Sequence, residues 1–90
     1  MYEDIAVKLR LSPEELERES LVFFLRHKLR LVDSQLLSLT REYGVQTVTE
    51  LDDLVQNGQI HEDEAFEDFF EFDHLEAERE ILLESLKELG

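Results

Sequence analysis

Glu71 and His74 stand three residues apart, the Glu-x-x-His spacing used by carboxylate-bridged di-metal sites inside helical bundles. Glu64, Glu67, Glu71, His74 and Glu78 recur every three or four residues, so a helix would carry them on one face. Carboxylate oxygens with one imidazole would suit a transition metal. A complete site needs two such motifs and further inward glutamates. The chain has one motif, and a homodimer would supply the second. In an acid-rich helix the spacing also arises by chance, so a small metal-binding bundle using Glu71 and His74 is kept as an alternative. No cofactor is expected.

The same stretch carries a second chemistry. Between Glu62 and Glu80 there are ten acidic residues and one base, Arg79, with Phe66, Phe69, Phe70 and Phe72 interleaved. Residues 1–44 hold seven Lys/Arg against eight Asp/Glu, a net charge of −1. Residues 45–90 hold two against fifteen, a net of −13, which accounts for nearly all of the formal −14. Like charges at Glu64/Asp68, Glu67/Glu71 and Glu76/Glu80 each cost about 0.2–0.5 kcal/mol on an isolated helix. A surface that keeps this cost is suited to a cationic partner, with aromatics supplying affinity and acids steering approach. The partner-binding residues expected are Glu64, Phe66, Glu67, Asp68, Phe69, Phe70, Glu71 and Phe72. The bland reading is an amphipathic helix with its aromatics in the core and its acids in water.

Other chemistry finds no setting. No serine or histidine stands in a recognisable nucleophile–base pattern, and no Gly-rich phosphate loop is present. His27, between Arg26 and Lys28, reads as a surface or hydrogen-bonded histidine. No enzymatic activity is expected. The one basic cluster, Arg26 to Arg30, has acids on both sides along the chain, so direct nucleic-acid binding is not expected. The absence of cysteine excludes disulfides and Cys-based metal sites and suits a cytoplasmic location. The longest apolar run, Leu21 to Leu25, is far short of the roughly 20 residues of a membrane span. The acidic start, Met1-Tyr2-Glu3-Asp4, is not that of a secretory signal.

The elements that must position these residues are helical. Residues 3–10 fit a short helix, or a strand that would lack a partner in the chain. Ser12-Pro13-Glu14-Glu15 is a helix start, with Ser12 as N-cap, Pro13 at the first helical position and Glu15 completing a capping box. The helix over 13–43 carries Val22, Leu25, Leu29, Val32, Leu36, Leu39 and Tyr43 at alternating spacings of three and four, a coiled-coil-like seam for helix packing or a homodimer. Gly44 ends it. A short helix over 49–57 starts at Thr49, with Asp52 at capping-box spacing, and stops at Asn57-Gly58. Residues 62–89 are helical, with an apolar phase change near Phe72 and Asp73 that reads as a kink or a junction of two helices. Two long helices of matching length with a compact connector predict a single all-α domain over 1–90, a long antiparallel helical hairpin that dimerises into a bundle. At 90 residues a monomer would be marginal, which favours dimerisation.

The run Leu11-Ser12-Pro13-Glu14-Glu15-Leu16-Glu17-Arg18-Glu19-Ser20-Leu21 resembles the opening helix of small prokaryotic antitoxins. The stretch from Tyr43-Gly44-Val45 through Glu50-Leu51-Asp52-Asp53-Leu54 to Phe70-Glu71-Phe72-Asp73-His74-Leu75-Glu76 is similar to short proteins of toxin–antitoxin stability systems. The resemblance implies a cytoplasmic protein that binds and neutralises a basic toxin, commonly a ribonuclease. No recognition helix of the DNA-binding antitoxins is visible. The other expectation is a structural module whose only partner is itself.

Overall fold

A computed structural model describes residues 2–90, which form four helices: α1 (Tyr2–Leu9), α2 (Pro13–Tyr43), α3 (Val48–Gln56) and α4 (Glu62–Leu89). No strand occurs among them. The fold is an all-α helical hairpin. α2 and α4 pack along each other, α3 packs on α4 and α1 on α2, in a rod of 61 × 18 × 16 Å.

Local sequence sets most of the ends. The Ser12 hydroxyl accepts a hydrogen bond from the Glu15 N–H at 3.0 Å, with Pro13 at the first helical position. Gly44 closes α2 in the left-handed region, at φ 66°, and the N–H groups of Gly44 and Val45 both turn back to the Thr40 carbonyl. α1 is the short helix rather than the strand. It ends on Arg10, whose φ of 59° is rare for a residue with a Cβ, while the Leu11 N–H reaches the Ala6 carbonyl at 2.8 Å.

α3 begins one residue before the expected 49, and its cap lies two residues before Thr49. Thr47 is the cap, its hydroxyl accepting from the Glu50 N–H at 3.2 Å, while the Glu50 carboxylate accepts from the Gln46 N–H. Thr47/Glu50 and Thr49/Asp52 both have capping-box spacing. Burial of Val45 and Val48 decides between them, because starting α3 at Val48 puts both side chains into the core.

α4 is a single unbroken helix, which corrects the expected kink or junction at Phe72 and Asp73. Its seam runs through Ala65, Asp68, Phe72, Leu75, Arg79, Leu82, Leu86 and Leu89, at alternating spacings of three and four throughout. Asp68 and Arg79 interrupt the seam chemically and make it look like two phases. Each meets a partner on α2: Asp68 takes the Tyr43 hydroxyl, and Arg79 Nε donates to Asp33 Oδ1 at 2.7 Å. The pairs 43–68 and 33–79 run in opposite senses, so the helices are antiparallel.

The core holds Val32 and Leu39 of α2, Val45, Val48 and Leu51 from the connector and α3, and Ala65, Phe72, Leu75 and Leu82 of α4. Leu25, Leu29, Leu36 and Tyr43 pack against it, and Val22 is half-buried near the end of the seam. From Leu25 to Tyr43 the seam is therefore packed against α4 of the same chain, while at its first turns Val22 and Leu29 also line an open groove.

Candidate functional site

The first three turns of α4 divide the expected binding residues into two sets. Phe72 is fully buried, which removes it from any binding surface. Phe69 packs partly into the core. Asp68 is half-buried and its carboxylate is taken up by the Tyr43 hydroxyl. Burial pushes the Tyr43 phenol well above its ordinary 10, and the adjacent Asp68 carboxylate adds to the rise. These three residues hold the hairpin together. Glu64, Phe66, Glu67, Phe70 and Glu71 remain exposed.

Phe66 and Phe70 are each 57% exposed, a large apolar area to leave in water. They touch edge to face, with ring centroids 5.1 Å apart, and Phe70 meets Phe69 in the same way at 5.8 Å. With Val55 and Asp52 of α3 they line a shallow groove of about 160 Å³. Glu62, Asp63, Glu67, Asp73 and His74 lie three or four residues from one ring or the other, so helical geometry sets them around the aromatic pair. Asp52 and Val55 were not among the expected site residues. Val55 reads from sequence as part of α3's apolar face, but only the packing of α3 on α4 brings it beside Phe66.

Several acids of this end lack a basic neighbour. Among the described residues, Glu62, Glu64, Glu67 and Glu71 have no basic side chain within 4 Å. The cross-helix ion pairs lie further along α4, at Glu78 with Lys28 (3.8 Å) and Arg79 with Asp33. Glu76 is used differently. Its carboxylate accepts from the Val48 N–H at 3.0 Å and so caps the start of α3 from another helix. Of the three like-charge pairs seen in the sequence, two thus include an acid with a structural partner, Asp68 and Glu76. Only Glu67/Glu71 is left with both members free in water.

The Glu-x-x-His spacing does not assemble a ligand set. Among the described residues no three His, Asp or Glu side chains form a group that could hold a metal ion. Glu71 and His74 are both exposed, and the nearest acid to His74 Nε2 is Glu78 at 3.9 Å. No helix of the described residues is long and apolar enough to cross a membrane.

The model of one protein family, described as the uncharacterized protein MJ0235 family, matches residues 1–90. No curated protein matches the chain. No solved structure matches it either.

Proposed function

We propose that this chain, which belongs to the MJ0235 family, is a protein-binding module that docks a basic partner on the acidic, aromatic start of α4. One observation carries the reading. Phe66 and Phe70 stand in water at the end of a helix where, among the described residues, Glu62, Glu64, Glu67 and Glu71 have no basic side chain within 4 Å. Burying two aromatic rings supplies affinity at low entropic cost, and these acids speed approach and reject anionic competitors. The role is one of binding rather than catalysis, in the cytoplasm. In its most specific form the partner is a toxin, a basic ribonuclease whose cationic groove the acidic edge masks. The antitoxin resemblance of the Leu11–Leu21 run supports that form.

The test is co-purification of the full chain with its cellular partners, alongside a variant carrying Glu64→Gln, Glu67→Gln, Glu71→Gln, Phe66→Ser and Phe70→Ser. The proposal expects a basic protein on the wild type that is lost from the variant and released as salt rises. Retention of the same partner by the variant would overturn it. For the toxin form, the product of a neighbouring small basic reading frame should arrest growth alone and be harmless when co-expressed with this chain.

A further inference from the structure

The opposite end of the rod carries the converse chemistry. Where α4 runs out beside the first half of α2, Arg18, Arg26 and Arg30 surround an apolar floor of Val22, Leu29 and Leu89 in a groove of about 710 Å³. Glu19 and the backbone of Gly90 also line it, and Phe23 stands at its edge, 69% exposed. Among the described residues none of the three arginines makes an ion pair. In a chain of net charge −14, three exposed guanidinium groups without an ion pair over an apolar floor form a concentrated cationic patch.

We infer that this groove receives the acidic, aromatic edge of a second copy of the chain, so that two rods pair antiparallel with each basic end on the other's acidic end. Charge complementarity selects the occupant. Glu62, Asp63 and Glu67 with Phe66 and Phe70 present acids around exposed rings, and the groove presents guanidiniums around an apolar floor. Arginine also stacks on aromatic faces, which suits Phe66 and Phe70. The exposed area leaves room for a partner of that size. A compact monomer of 10.7 kDa would expose about 5,500 Å². This chain exposes 7065 Å². The excess is larger than the roughly 800 Å² per partner that a stable interface takes. Two-fold pairing makes the same contact twice and closes the assembly. The inference rests on the proposed function for the acidic edge and names a cationic surface that can meet it, so an external basic partner would compete with the second copy.

The experiment is analytical ultracentrifugation of the full chain and two charge-swapped variants. One carries Arg18→Glu, Arg26→Glu and Arg30→Glu; the other carries Glu62→Lys, Asp63→Lys and Glu67→Lys. The wild type should dimerise with a dissociation constant that rises with salt. Each variant alone should self-associate about tenfold more weakly or worse, since every contact becomes like-charged. An equimolar mixture of the two should dimerise again, because both contacts regain opposite charge. That recovery also shows that the variants are folded. A monomeric wild type, an undiminished dimer in the arginine variant, or a mixture that stays monomeric would each overturn the inference. The arginine variant should still capture an external basic partner. Loss of that capture only in the lysine variant keeps the proposed function separate from self-pairing.

Discussion

The Tyr43 hydroxyl on the last turn of α2 donates to the Asp68 carboxylate on α4, both at seam positions of their helices. The bond fastens the hairpin near its elbow and keeps Asp68 from serving as a docking acid. Because the phenol is held above its ordinary 10, folding favours its protonated form. Its contribution is fully present below about pH 10 and is lost as pH rises toward the folded value. Wild-type stability, followed by urea melts, should therefore fall above that pH. Tyr43→Phe should remove that part of the fall and cost about 1.5 kcal/mol at neutral pH, the low end for a hydrogen bond to a charged acceptor because the pair is only half-buried.

Phe72→Ala should destabilise by about 3–5 kcal/mol, the usual cost of emptying a buried aromatic site. That is a large part of the total for a domain this small, so much of the helical signal should be lost at moderate denaturant. Phe66→Ser with Phe70→Ser should cost no more than about 1–1.5 kcal/mol, since only an exposed ring pair is lost. Denaturation midpoints of the two variants separate the core residue from the surface pair directly.

Arg10→Gly should stabilise by about 0.5–1 kcal/mol. Arg10 sits at φ 59°, where a Cβ costs energy and glycine does not. A lower denaturation midpoint for the variant would mean that its gain in unfolded-chain entropy outweighs the relief of strain.

Glu76→Ala should cost about 1 kcal/mol by leaving the Val48 N–H at the start of α3 without its cap. Glu80→Ala, an exposed acid one turn further along, should change stability by less than about 0.5 kcal/mol. Equal effects at the two positions would show that Glu76 acts only through its charge.

Asp33→Asn and Arg79→Met, combined in a double-mutant cycle, should couple by about 0.5 kcal/mol and lose the coupling in high salt. The pair is short, 2.7 Å, but its side chains are 46% and 47% exposed, so water screens most of the attraction.

The helix ends at Ser12 and Gly44 were legible because their physics is confined to four or five consecutive residues. The start of α3 was not. Thr47 and Thr49 both offer a capping box, and the choice depends on the burial of Val48 and on Glu76, 28 residues away. The continuity of α4 was present in the spacing from Ala65 through Phe72 to Leu82, but Asp68 and Arg79 hid it. Both polar residues make sense only beside Tyr43 and Asp33. The same seam contained the signal that Phe72 is core, since it stands seven residues after Ala65 and three before Leu75. Residue type alone could not separate Phe72 from Phe66 and Phe70. The arginine groove was less legible still: Arg18, Arg26 and Arg30 share α2 with Val22 and Leu29, but only the packing of α4 adds Leu89 and closes the groove.

An uninterrupted α4 has a mechanical corollary. The same strut runs past α3 and the elbow and then along most of α2, so neither region can come apart without loosening the other. Amide exchange should accordingly follow a single opening event across α2, α3 and α4, with even Leu82 sensitive to a lesion at Phe72. α1 should exchange on its own, faster schedule, since among its described side chains only Ala6 is buried.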